Sequence, residues 1–509
     1  MESAALNLRG VDRPEIVIGL VGALGCPMKR VAEILGEEFV RAGYAAETLR
    51  LSDFLEAYSN LSNAPPNSSA RAAVRTAALM NRGNELRERF GSGDALAMHV
   101  AAHIRQLRPE GADQLSLPER AFVLHQLKHP EEVRLLRQVY GDAFHLLGIY
   151  APLSVRRGQL RNVLSMSDEE ADGLLERDAG EEIRFGQKVT QTFHLSDFFI
   201  THMGSDNQHF ENVRDQVRRY LELLFGMSMH SPTMDEYGMF LANSAALRSV
   251  DLSRQVGAAL MRPSGEILSL GCNEVPRAGG GQYWTEQPPD ERDFVRGVDS
   301  NDQIKRESLD ELIRVLRPDI NGLNESERAK GIEEISEQLR GTRFMNLTEY
   351  GRAVHAEMEA ILSAGRIGVS VVGATLYTTT FPCHNCAKHI VGSGIQRVVY
   401  VEPYSKSLAD RLHHDAIAFG LLGDGPSDGK VSIEPFKGVA PRVFPRLFSA
   451  IEPDGKRIER KTADGSVRTE PIGLRMASSP LTHIDRESMV ALYLFDFMNN
   501  LANSNESGK

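Results

Sequence analysis

The chain has 509 residues, 41% of them hydrophobic and 25% charged, with 44 Gly and 23 Pro. That balance is ordinary for a globular protein, and at roughly 150 residues per domain it predicts about two to four domains. A formal charge of −11 argues against a protein built to clamp a polyanionic duplex, while leaving room for a local basic pocket. Four cysteines, Cys26, Cys272, Cys383 and Cys386, are too few for a disulfide scaffold. The opening MESAALNLRGVDRPE has no apolar stretch following a basic one, as a signal peptide would. No apolar run approaches the roughly 20 residues of a membrane span, so no membrane partner is expected and the cytoplasm is the expected compartment. Thiols stay reduced there, which leaves Cys383-x-x-Cys386 free for metal or redox chemistry.

In chain order, residues 16–21 are a short β-branched run, read as a buried strand, and Gly22-Ala-Leu-Gly25-Cys-Pro27 is a turn. Val31, Ile34, Leu35 and Phe39 then mark one face of a helix over 31–42. Strand, glycine turn and helix open an α/β nucleotide-binding domain. Residues 60–70 read as a loop, 72–90 and 94–107 as helices, 121–127 as a strand, 131–140 as a helix and 143–150 as a strand. A capped helix starts from Ser167. Residues 198–200 are expected to close this domain as its last strand, and 212–225 is an amphipathic helix. After a linker at 227–233 come a helix over 234–249 and a strand hairpin over 255–261 and 265–273. A polar insertion spans 279–340, with helical stretches at 308–316 and 325–339. The pattern then predicts a helix over 350–364, strands at 374–379 and 397–401, and a short helix at 386–392. Beyond Gly420 the chain is rich in Gly, Pro and charge, and 501–509 is expected to be disordered.

The strongest chemical signal lies in this last region. His355-Ala-Glu357, on the predicted helix, and Pro382-Cys383-His384-Asn385-Cys386, after a predicted strand, form H-x-E … P-C-x-x-C, the signature of zinc-dependent nucleobase deaminases. A catalytic zinc takes three protein ligands and leaves a fourth position for water. His355 supplies a nitrogen and Cys383 and Cys386 supply thiolates. Their spacing at a helix start turns both sulfurs towards one ion, and the helix dipole favours the thiolate form. Zinc acidifies water near neutral pH, and Glu357 is placed to take the proton and pass it to the ring nitrogen and the leaving ammonia. A structural zinc knuckle would need a fourth protein ligand, for which His384 and His389 are nearest. A thioredoxin-like dithiol would need a different helix context and no H-x-E.

Around these motifs the sequence resembles the deoxycytidylate deaminases. The resemblance is carried by AALRSVDLSRQVGAA at 245–259, Gly271-Cys-Asn-Glu-Val-Pro276, His355-Ala-Glu-Met-Glu-Ala-Ile361, LYTTTFPCHNCA at 376–387 and GSGIQRVVY at 392–400. It covers about 234–406, interrupted by the insertion. It implies a sugar contact from Asn273, a pocket segment at Val256-Gly-Ala258, and Arg254 as a candidate phosphate contact. The bland alternatives are a turn residue for Asn273 and a surface ion pair for Arg254. The family usually has Asn two residues after the catalytic Glu. Glu359 stands there instead, a departure that bears on fine substrate contacts.

The N-terminal half contains a degenerate phosphate loop. Aligned to G-x-x-x-x-G-K-[ST], Gly22 is the first glycine and Gly25 lies within the loop. The second glycine becomes Pro27, the lysine Met28 and the hydroxyl residue Lys29. Lys29, one residue from the expected place, is the candidate phosphate cation, with a purely structural strand–helix turn as the alternative. Fusion of such a P-loop kinase-like half to a deoxycytidylate deaminase domain resembles the antiphage dCTP deaminases of bacteria. QLKHPEEV at 126–133, VYGD at 139–142, Arg177-Asp178, Gly186-Gln187 and TFHLSDF at 192–198 resemble that family's kinase-like half. The resemblance implies deamination of dCTP and dCMP to dUTP and dUMP, which deprives a phage of a DNA precursor. It also implies a regulatory nucleotide such as dTTP at the degenerate loop, an inhibitory RNA or protein, and a homo-oligomer.

The expectation is therefore an α/β protein in three parts. Residues 1–225 form a P-loop kinase-like α/β domain. Residues 234–450 form a cytidine deaminase-like α/β/α domain with one catalytic zinc and the 279–340 insertion, and 451–509 form an extension. A housekeeping dCMP deaminase is the runner-up, although it would need only the second half. A deaminase of single-stranded nucleic acid would be expected to show a basic groove with aromatic platforms, which the charge of −11 disfavours. A phosphoryl-transferring kinase is disfavoured by the missing loop lysine.

Overall fold

The structure, a computed structural model, describes residues 13–58, 71–108, 117–181, 183–204, 207–227, 230–322, 324–339, 342, 344–347, 349–404, 407–419, 429–451, 455, 457–468, 475 and 480–506. The expected loop at 60–70 lies outside them. The chain divides into two units, residues 1–236 with 437–509, and residues 237–436. In chain order the strands of the described residues are β1 (Ile16–Gly22), β2 (Ala45–Arg50), β3 (Arg120–His125), β4 (Phe144–Tyr150), β5 (Phe198–Thr201), β6 (Gly257–Met261), β7 (Ile267–Cys272), β8 (Thr375–Thr380), β9 (Arg397–Glu402), β10 (Ile417–Phe419), β11 (Val431–Pro435) and β12 (Gly438–Val439). Both units are α/β, as expected.

In the first unit, β1 is buried along its whole length, and its sequence, IVIGLVG, has the unbroken apolar character of a strand covered on both faces. It pairs in parallel with β3 and β4, β2 adds beyond β3, and β5 beyond β4. Val17 and Val21 face a core shared with helices Ala95–Gln106, Pro130–Tyr140 and Pro480–Glu506. Helix Met28–Arg41 follows the glycine turn, and its buried Glu38 is held by Arg214 and Arg218 of helix Asn207–Leu224. The cap read at Ser167 is present. Ser167 Oγ accepts from Glu170 N at 3.2 Å, and the Glu170 carboxylate accepts from Ser167 N at 2.9 Å.

The C-terminal residues depart from expectation. β5 is not the last strand of its sheet, because β12 pairs antiparallel to it outside the parallel set. Residues 437–450, expected in the deaminase domain, therefore belong to the first unit. Val439 N donates to Glu236 Oε1 at 2.8 Å, Arg442 pairs with Asp197, and Arg446 with Asp142 at 2.7 Å. The extension is no appendage either. Helix Pro480–Glu506 buries Leu494 in the first core, stacks Phe497 on Phe90 with ring centroids 4.0 Å apart, and brings Glu487 to Arg108. That helix continues through 501–506, where disorder was expected; 507–509 lie outside the described residues.

In the second unit the expected hairpin, β6 and β7, is antiparallel, β8 runs antiparallel to β6, and β9, β11 and β10 continue in parallel. Two glycines let helices approach this sheet from opposite faces. A Cβ on Gly257 would lie 1.9 Å from Ala242 O of helix Met234–Ala246, and one on Gly271 would lie 2.2 Å from Ala356 O of helix Ala356–Arg366. Because Gly257 pairs with Cys272 and Gly271 with Ala258, the two glycines point to different faces, and the layers are helix, sheet, helix. Within the insertion, helix Ser300–Leu316 begins eight residues earlier than predicted, since Asp299 caps it by accepting from Asp302 N at 2.9 Å. Its buried Leu309 and Ile313 pack with Ile332 and Ile335 of helix Glu325–Leu339. No helix among the described residues is long and apolar enough to cross a membrane.

Candidate active site

Two helix starts build the centre. Val354 is held extended by a bridge to Glu274, with Val354 N donating to Glu274 O at 3.0 Å. The helix expected from 350 therefore starts only at Ala356, and His355 is its N-cap residue. Cys383 occupies the same position for helix His384–Gly392, and its Sγ accepts from Cys386 N at 3.4 Å. His355 Nδ1 lies 3.4 Å from Cys383 Sγ and 3.3 Å from Cys386 Sγ, and the three donor atoms all lie within 4.8 Å of one another. One imidazole nitrogen and two sulfurs, the latter at a helix N-terminus, suit zinc, which takes N and S ligands in tetrahedral geometry. No fourth His, Cys, Asp or Glu joins this group among the described residues. His384 Nε2 faces Glu349 at 3.9 Å, and His389 Nδ1 is 2.7 Å from Asn385 O. Three donor atoms thus converge among the described residues, and neither His384 nor His389 joins them.

The groups shift one another's acidity. The Cys386 thiol hydrogen bond, with help from His355 and against burial, brings Cys383 down to about 4. Contact with Cys383 pushes His355 up to about 9. Cys386, next to that thiolate and buried, is pushed well above the usual thiol range. Glu357 is 4% exposed, and burial first, then the negative charge of Cys383, raises its carboxyl. Its Oε2 accepts from Cys386 Sγ at 3.4 Å.

Around the centre, Ala258 lies on β6 between Gly271 and Thr378, in one apolar cluster with both cysteines. Asn273, immediately after β7, ties strand ends together. Its Oδ1 accepts from Val256 N at 2.7 Å and its Nδ2 donates to Arg254 O at 2.8 Å. Arg254 pairs with Glu402 at 3.3 Å, and its guanidinium stands 5.6 Å from the centre of the Tyr404 ring. Glu359 is buried, and Arg366 donates to it at 2.6 Å. Tyr404 was not foreseen, lying just past the strand where the motifs end. Burial, then the Cys383 charge, raises its phenol, which marks it as a neighbour of the centre.

In the first unit the glycine turn has a packing reason. A Cβ on Gly22 would lie 2.9 Å from Ile149 O, and Gly25 has φ +86°. The Lys29 side chain is exposed, 3.9 Å from Glu33, and lines a cavity of about 300 Å³ with Thr48, Arg50, Asp53 and His125. The turn's Leu24 N donates instead to Asp178 Oδ2 at 2.7 Å.

Residues 232–402 match the cytidine and deoxycytidylate deaminase zinc-binding region. The deoxycytidylate deaminase of Enterobacteria phage T2 is 54% identical over 54 residues, 11% of this chain and 29% of the phage protein. The chain thus spans less than a third of the length of this relative and of its counterpart from Enterobacteria phage T4. Among solved structures, the dCMP deaminase of cyanophage S-TIM5 shows 17% identity and a TM-score of 0.22, over 41% of this chain and all of that one. The APS kinase of Mycobacterium tuberculosis shows 16% identity and a TM-score of 0.25, over 42% of this chain and 98% of that one. With His355, Glu357, Cys383 and Cys386 all inside the matched region, the second unit carries a zinc-binding domain of the cytidine and deoxycytidylate deaminase family.

Proposed function

We propose that this protein is a zinc-dependent hydrolase that converts deoxycytidine nucleotides, dCTP and dCMP, to dUTP and dUMP with release of ammonia, and that it serves to deplete dCTP against phage. The carrying observation is Glu357, buried and raised in pKa, in contact with Cys386 of a three-ligand His/Cys/Cys group. Zinc held by His355, Cys383 and Cys386 supplies Lewis acidity that makes water at the site more acidic. Glu357 takes the water proton, delivers it to the ring nitrogen and then serves the departing amine; its raised pKa suits a group that must both accept and give a proton. Burial keeps bulk water from competing for that proton. Arg254, at the rim, is the candidate phosphate contact, and Asn273 the candidate sugar contact. A free nucleotide is favoured over a nucleic-acid strand by the charge of −11. The first unit, with its glycine turn, serves as a nucleotide sensor, dTTP being the first effector to try. Cytoplasmic location and homo-oligomeric assembly complete the reading.

Incubation of purified protein with dCTP and dCMP, with and without dTTP, followed by chromatography, tests it. Formation of dUTP or dUMP supports the proposal. No product from either substrate in any condition overturns it. Product from dCMP alone would favour the housekeeping reading.

A further inference from the structure

A phosphate loop works by turning backbone N–H groups and a lysine onto an anion. The turn after β1 lacks the lysine, with Met28 and Lys29 in its place, yet it is not without an anion. Asp178, wholly buried near the end of helix Asp168–Ala179, accepts from Leu24 N at 2.7 Å through Oδ2. Through Oδ1 it accepts from Lys128 Nζ at 2.5 Å. Helix Met28–Arg41, which leaves the turn, has no acidic residue in its first turn and no side-chain cap at Pro27, so its positive end has no counter-charge of its own there. A backbone amide and a lysine ammonium thus converge beside a helix start, and the anion they hold is the protein's own carboxylate.

We infer that this turn is a phosphate seat occupied by Asp178, that Lys128 takes the part of the missing loop lysine, and that a di- or triphosphate nucleotide enters by displacing Asp178 from Leu24 N–H and Lys128. The helix that carries Asp178 has its own small core. Ala171, Leu174 and Leu175 pack with Ala73, Met80, Leu160 and Met166, apart from the main core of the unit, and Leu24 of the turn packs against the same cluster. The segment is therefore attached to the turn at two points, the Leu24 side chain and the Asp178 carboxylate. A phosphate and the carboxylate cannot share the seat, since two anions there would repel. Ligand binding and the Asp178-in state exclude each other, and the ligand draws the population towards the state in which the segment has let go. The inference rests on the reading of the first unit as a nucleotide sensor, and specifies how that sensor is held shut.

The test uses the full chain, with pyrophosphate and with dTTP, each with Mg²⁺, as titrants in calorimetry. Asp178→Asn should bind them about tenfold or more tighter than the wild type, because the competing charge is gone. The neutral double variant Asp178→Asn/Lys128→Met, which leaves no unpaired buried charge, should lose that gain. Equal binding by wild type and Asp178→Asn overturns the seat while leaving the sensor reading intact. A gain that persists in the double variant overturns the role of Lys128. Absence of binding in all three proteins overturns both readings. A measurement free of substitutions runs beside it. Amide hydrogen exchange over 168–179 in the wild-type protein should rise when pyrophosphate is saturating, and unchanged exchange with pyrophosphate bound overturns the displacement.

Discussion

Glu357 Oε2 lies 3.4 Å from Cys386 Sγ, so the carboxylate assigned to proton transfer touches one of the candidate metal ligands without being part of the ligand group. That separation of roles has a direct consequence for mutants. Glu357→Gln keeps the side chain's shape and removes its basicity. Turnover of dCMP or dCTP should fall by about 10²-fold or more, while zinc measured by elemental analysis stays near one per chain. Cys383→Ser should lose the metal as well as the activity. Equal metal loss in both variants would contradict the division of labour.

Chelation tests the ligand set itself. Stripping with dipicolinate should lower the melting temperature, because a site that binds metal only when folded couples the two. Thiol titration should then reveal Cys383, whose thiol is held down to about 4, whereas Cys26 and Cys272 should react only in denaturant. Burial pushes Cys26 up to about 11 and also raises Cys272, so neither offers an exposed thiolate at neutral pH.

Asn273 has two jobs to separate. Asn273→Ala removes the acceptor for Val256 N and the donor to Arg254 O, and should destabilise the second unit by about 1–3 kcal/mol, read by denaturant melts. Asn273→Asp keeps the acceptor. It loses the donor to Arg254 O, so it should melt below the wild type; a raised KM for dCMP in the folded variant shows that the side chain also meets the sugar, and an unchanged KM leaves Asn273 with the structural job alone.

The Glu38 pair with Arg214 and Arg218 makes the first unit acid-sensitive. Burial alone would raise this carboxyl, but the hydrogen bonds from Arg218 and Arg214 outweigh it and hold the pKa below its ordinary 4.5. A depressed carboxyl stabilises the fold above its unfolded-state pKa, and that contribution is lost as pH falls through the folded value. The melting temperature should therefore drop as pH is lowered below about 4.5. Glu38→Gln should melt lower at pH 7 and show a smaller acid-induced drop. Parallel curves for the two proteins would refute the linkage.

The sequence made the centre legible because its chemistry is local. H-x-E and P-C-x-x-C are short; P-C-x-x-C rides on a helix start that the structure keeps, whereas H-x-E, expected inside a helix from 350, lies at the start of Ala356–Arg366. The 16–21 strand and the 72–90 helix were equally readable, being long or uniformly apolar. What escaped depended on distant partners. β12 is two residues long and exists only because β5 lies beside it. Asp178 gave no local sign that it would reach Leu24. Helix Pro480–Glu506 was hidden by a composition rich in polar residues, and its burial against Phe90 is a property of the assembled core.

The first unit is built from residues on both sides of the second and cannot be completed before 437–506 have been translated. Arg108, buried and with its guanidinium between Glu15 and Glu487, is separated from the latter by 379 positions. Until that helix has been translated, the growing chain holds a cation that has only one of its two carboxylates, and an edge of β5 that Gly438 and Val439 have yet to cover. The second unit's entire sequence leaves the ribosome in between. A chain cut short after 436 would thus lack the strand that covers the edge of β5 and the second carboxylate of Arg108, so the first unit's sheet and its buried ion cluster are completed only by residues that follow the whole of the second unit.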